Sequence, residues 1–293
     1  MKDAAKLIVY FLAVVAGGAI LAPFLYGAAG IAVAHGIFPF LARYHFETFF
    51  HRALLICALF FLWPLFRSLD IHGSGDLGLK KNPHPWRDLF MGASLAGIPL
   101  LCAAVVLTWS RLFLLKTVIP WPSLATVAGA AIAVPLIEEF FFRGFILGIL
   151  RRAIGPAVAA FITSAFFALV HFLKAPPRTN AVVTWYSGLN SIAHSFAQFA
   201  DPTAVLAAFA TLFVIGWILA DARLRTQSLW LPIGLHGGWI LVAGVFTKIT
   251  KKQAEILPWL GNSLTVGIVP LGLAFLTGAL MYWWLQYVSS RKT

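Results

Sequence analysis

Eight stretches of roughly twenty apolar residues run through this chain, and that is the length a helix needs to cross the hydrocarbon of a bilayer. They fall at about 6–28, 48–67, 88–109, 122–150, 155–174, 203–222, 227–247 and 263–287. Only 11% of the 293 residues are charged, where a soluble domain carries about a quarter. A water-soluble fold has no interior large enough for so much apolar surface, so the bilayer must be the solvent for most of it. The expected fold class is therefore all-α: a polytopic membrane protein of about eight transmembrane helices. The first run, Leu7 to about Val33, is too long for a signal-peptide core and is read as a retained helix. Segment 29–47 is read either as a re-entrant or interfacial piece or as an extension of that helix. Pro135, inside the long fourth run, predicts a kink.

Charge sets orientation rather than partners. The net charge of +12 comes from short Lys and Arg clusters between apolar runs, without the interleaved aromatics of a nucleic-acid surface. Nucleic acid is excluded as a partner, and the bilayer itself is expected to be one. Lys and Arg divide 12 against 9 between the two sets of alternate loops, which places both termini in the cytoplasm. A prokaryotic plasma membrane is the simplest host. Cys57 and Cys102 each sit in an apolar run and predict no disulfide framework.

The polar residues inside these runs are few and informative. Of ten acidic residues only Glu138 and Glu139 lie well inside a predicted helix, where a charge costs about 2.5–3.5 kcal/mol on insertion scales. Glu139 and Arg143 are four positions apart and share a helix face, so they predict an ion pair. Glu138 points about 100° away. Two of the eight histidines, His171 and His236, also fall inside apolar runs. Measured from the ends of their runs on one side, Glu138, His171 and His236 lie 13, 16 and 11 residues deep, about 20, 24 and 16 Å. Three polar residues on three helices thus reach a similar level, as a shared site requires. Gly144, Gly148, Gly234, Gly237 and Gly238 cluster near them, where helices can approach closely.

Glu138-Glu139-Phe-Phe-Phe-Arg143 reads EExxxR, Phe167-Ala-Leu-Val-His171 reads FxxxH, and His236 follows in a later helix. In order and spacing, residues 122–247 resemble the CPBP family, also called ABI, of membrane proteases related to the CAAX endopeptidase that trims prenylated proteins. The resemblance implies a conical catalytic chamber inside the membrane and glutamate-dependent peptide hydrolysis without an obligatory metal. By implication Glu138 activates water, His171 helps bind and orient that water, and His236 stabilises the oxyanion. Glu139 and Arg143 would hold the architecture by their ion pair, with Phe167 as part of the second motif. The expected substrate is a membrane-associated or lipidated protein or peptide precursor, cut near its C-terminus. The family's third motif places Asn or Asp four residues after the histidine; here position 240 is Ile. Trp239 offers an indole N–H one position away, and Asn190, His194 or Ser195 could fold back from the loop 175–202. That loop, with Pro176, Pro177, Trp185 and Tyr186, is read as a lid, a substrate rim or an interfacial anchor.

Three other readings use the same residues. Glu138, His171 and His236 could form a three-ligand zinc site, although HExxH is absent. Intramembrane Glu and His could relay protons in a transporter. Ile240 suits a non-catalytic protein that binds a membrane peptide or confers immunity. By sequence the chain divides into N-terminal helices at 1–121, a catalytic core at 122–250 and a C-terminal helix at 251–293.

Overall fold

The computed structural model describes residues 2–172, 176, 179, 182–200, 202–253, 258–261, 264 and 267–290. Lys174, Pro177, Arg178, Asp201, Glu255, Arg291 and Lys292, which the loop and charge arguments used, lie outside the described residues. In chain order the helices are α1 (Lys2–Ala34), α2 (Phe46–Ser68), α3 (Pro85–Trp109), α4 (Trp121–Glu139), α5 (Leu147–Ile154), α6 (Pro156–Val170), α7 (Ser187–Ser195), α8 (Pro202–Thr226), α9 (Trp230–Ile249) and α10 (Ile268–Ser290). A π turn, Phe140–Ile146, joins α4 to α5, so that Trp121–Ile154 runs as one long span. The only sheet among the described residues is the antiparallel pair β1 (Phe113–Leu115) and β2 (Thr250–Lys252), with Leu114 opposite Lys251.

Among the described residues, seven helices are long and apolar enough to cross a membrane. The fifth of the eight expected runs is a shorter apolar helix over the 15 residues Pro156–Val170 among those described. The outward faces are what lipid requires. Leu12, Phe24, Phe60, Trp63, Val106 and Phe275 are each more than half exposed, which water would penalise and hydrocarbon does not. Segment 29–47 resolves mainly as an extension of α1 to Ala34, followed by a short 3-10 helix, Pro39–Arg43.

The chain forms two compact units that interleave along the sequence. The first comprises 1–73 and 169–205. Its core is α1 against α2, with Ala19, Ala22, Phe46, Phe50 and Ala53 buried between them. Gly188 seats α7 on α1: a Cβ there would lie 2.0 Å from the Ala19 carbonyl oxygen.

The second unit comprises 74–168 and 206–293. Here α9 packs between α3 and α4, and its glycines set the spacing. A Cβ on Gly234 would meet the Leu89 carbonyl oxygen at 2.1 Å, and one on Gly238 the Ala93 oxygen at 2.5 Å, both on α3. On Gly237 it would meet the Ala131 oxygen of α4 at 2.8 Å. Backbone contact of this kind needs small residues on the facing surfaces. Because three glycines in five positions face two helices, the side chain between them on the sequence, His236, is fixed in depth and direction.

A candidate active site on α4, α6 and α9

The acidic pair ends α4, and the π turn begins at the next residue. Within that turn the Leu147 N–H bonds the Phe142 carbonyl, five residues back. Such bulges concentrate at functional positions in helices. Pro135, where the sequence predicts a kink, lies inside α4, and a departure from α-helical bonding follows Glu139. EExxxR spacing fits a regular helix equally well, so no sequence signal announced the π turn.

Glu139 and Arg143 form the predicted pair, Nη1 to Oε1 at 2.9 Å, with both side chains fully buried. Arg143 has further supports. Nη2 donates to the Gly216 carbonyl at 3.2 Å, and the guanidinium lies 4.3 Å from the centre of the Phe167 ring. Gly216 allows this because α8 comes close to α6 there: a Cβ on it would be 3.1 Å from the Ser164 Cα. Phe167 also meets His236 edge-on, with ring centres 5.9 Å apart. The aromatic residue of the second motif therefore braces both a cation and an imidazole.

His236 lies between the two glutamates. Nδ1 is 2.8 Å from Glu139 Oε1, and Nε2 is 3.9 Å from Glu138 Oε2. Glu139, paired with a guanidinium, is a carboxylate and can only accept, so Nδ1 carries the hydrogen and donates it. This fixes the ring and turns Nε2 toward Glu138, the way a carboxylate orients the histidine of a hydrolytic triad. Glu139 thus holds the histidine as well as the arginine, a second contact that the i,i+4 argument did not anticipate. At 3.9 Å the Nε2–Glu138 separation is too long for a hydrogen bond, but one water molecule can bond to both.

Glu138 differs from its neighbour as its 100° offset requires. Its side chain is 29% exposed while that of Glu139 is fully buried. Its Oε2 is buried and accepts no hydrogen bond among the described residues. With Nδ1 committed to Glu139, Nε2 of a neutral His236 is an acceptor; it donates, as an oxyanion partner must, only when the ring is doubly protonated.

The other expected residues are placed as follows. Glu138 and His236 come together, Oε2 to Nε2 at 3.9 Å. His171, exposed in the turn after α6, belongs to the first unit. Asn190, His194 and Ser195 are also in the first unit, on α7, where the His194 ring and Ser195 hydroxyl bond carbonyls one turn back. Trp239 is buried in the apolar cluster of α3, α8, α9 and α10. Phe142 packs against Phe167, whereas Phe140 is 42% exposed. Among the described residues, no group of three His, Cys, Asp or Glu side chains is arranged to hold a metal ion.

Arg223 is the residue that sequence reasoning missed. By sequence it is one of the 12 Lys and Arg on the side of the termini, yet it is fully buried in α8. Nε donates to the Arg143 carbonyl inside the π turn at 3.2 Å, and Nη2 to the Leu77 carbonyl at 2.6 Å. It fastens the π turn to the segment before α3. Its position near a helix end made it look like a topology signal, and its burial depends on neighbours far along the chain.

Comparison with known families bears on the same segment. Residues 120–242 match the family described as type II CAAX prenyl endopeptidase Rce1-like. The similarity covers less than half of the chain. It opens one residue before α4 and closes within α9, and it contains Glu138, Glu139, Arg143, Phe167, His171, His236 and Trp239. This similarity agrees with the resemblance read from the three motifs. No curated protein and no solved structure matches the chain.

Proposed function

We propose that this chain is a glutamate-dependent intramembrane endopeptidase that cuts near the C-terminus of a membrane-associated, lipidated or prenylated protein. The observation that carries the reading is the pairing of a part-exposed Glu138 carboxylate with the Nε2 of a His236 whose other nitrogen is tied to Glu139. Glu138 takes a proton from water, and the water oxygen attacks the scissile carbonyl. The proton then passes to the leaving amine. His236 stabilises the developing oxyanion as the imidazolium, the form in which Nε2 donates. His171 is assigned by family resemblance to binding the same water. Arg143 and Phe167 position His236 through Glu139 and through ring contact. The chemistry assigned to these residues requires no metal. Ile240 leaves the oxyanion without the second donor of the family's third motif, and losing one such donor can slow a reaction by about 10²–10³.

The test is C-terminal proteomics of the host membrane fraction, wild type against Glu138→Ala at equal expression. New C-termini that appear only with wild type would support the proposal and define the substrate. Identical profiles from two folded proteins would reject catalysis, and tight peptide binding without turnover would then mark a binding protein.

A further inference from the structure

At one end of the second unit, the start of α3 and the ends of α8 and α10 enclose a polar cleft of about 270 Å3. Its cations are Lys81, Arg87 and Arg225. Arg87 is bonded to Asp88 at 3.0 Å and lies over the Trp284 ring at 5.6 Å. Arg225 is bonded to Asp221 at 2.7 Å and lies over the Tyr282 ring at 5.0 Å. Asp88 is also held by Asn82 at 2.8 Å, which fixes the floor of the cleft. Three cations against two carboxylates leave one positive charge in excess among these five side chains. Both guanidiniums remain more than 40% exposed and retain N–H groups beyond those used on the acids.

Asp221 and Tyr282, the two residues that Arg225 touches, line the mouth of a second, apolar groove of about 460 Å3 between α8 and α10. It runs from Asp221 back to Phe213, about 12 Å along the helix. Trp86, Tyr282, Trp283 and Tyr287 are 62%, 48%, 67% and 44% exposed around this end, the aromatic belt of a membrane–water boundary. A cationic cleft at headgroup depth therefore continues, through one arginine, into an apolar groove at acyl-chain depth.

We propose that this is a binding site for an anionic glycerophospholipid. Its phosphate meets Lys81, Arg87 and Arg225, and one acyl chain lies in the α8–α10 groove. Charge complementarity selects the headgroup, and continuity with the groove selects a lipid over free phosphate.

The experiment is native mass spectrometry of the full chain in detergent, titrated with phosphatidylglycerol or with phosphatidylcholine of the same chains. Wild type is expected to retain one phosphatidylglycerol at least tenfold more tightly than phosphatidylcholine. Lys81→Gln/Arg225→Gln should abolish that preference, and Ala279→Trp, which fills the exposed groove, should weaken both lipids. Equal retention by wild type and the charge variant would overturn the site. Displacement of phosphatidylglycerol by millimolar inorganic phosphate, with no effect of Ala279→Trp, would overturn the lipid reading. Neither outcome touches the catalytic residues, so the site stands or falls apart from peptidase activity.

Discussion

Two adjacent glutamates should respond oppositely to the same substitution. Glu139→Gln keeps the shape of the side chain but removes the charge that compensates Arg143, and both are fully buried. Breaking a buried pair by neutralising one partner costs about 3–5 kcal/mol. Arg143 would retain Gly216 and the Phe167 face, which offer partial charges in place of a full one. Glu138→Gln, in contrast, replaces a carboxylate whose buried Oε2 accepts no bond among the described residues. The loss is at most about 1 kcal/mol, and a gain is expected, since a poorly solvated charge becomes a neutral amide. The two variants should therefore differ by at least about 2 kcal/mol, or roughly 4–8 °C in Tm at about 2–4 °C per kcal/mol. Thermal unfolding in one detergent, followed by near-UV dichroism and by retention of the monodisperse peak, reads this directly. Equal midpoints would refute the division of labour: an equally damaging Glu138→Gln would make Glu138 structural, and a neutral Glu139→Gln would mean that the buried triad does not hold α4 to α9.

Four further outcomes follow from particular contacts. Arg223→Met removes two charge-assisted bonds, to the Arg143 and Leu77 carbonyls, and should cost about 3 kcal/mol while raising amide exchange in segment 74–79, read by hydrogen–deuterium mass spectrometry. Gly234→Ala should destabilise by about 1–3 kcal/mol in a thermal melt, because its Cβ would press on the Leu89 carbonyl of α3. Ile240→Asn should raise the rate of peptide cleavage by roughly tenfold or more, measured as turnover of a substrate found by proteomics; an unchanged rate would show that the second donor comes from elsewhere or is not needed. Excess chelator should leave that turnover unchanged, and loss with recovery on added zinc would favour the metal reading instead.

Much of this was legible in the sequence because the bilayer enforces a simple code. With no water in the hydrocarbon, each crossing must be a helix of about twenty apolar residues, so the long spans could be read from composition. The same scarcity of water made Glu138, Glu139, His171 and His236 stand out, and helical periodicity separated the two glutamates into a paired and an unpaired one. The glycines were visible as sites of close approach. What they approach was not: Gly234 and Gly238 meet α3, and Gly237 meets α4, because α9 lies between helices that come far earlier in the chain. Only tertiary structure could put the His236 Nδ1 on Glu139, 97 residues away, and so decide which nitrogen faces Glu138. Arg223 is the sharpest case. As a sequence position it is one more cation near a helix end. Buried against two backbone carbonyls from distant segments, it is part of what holds the π turn, since a carbonyl, unlike a side chain, leaves no mark in the sequence.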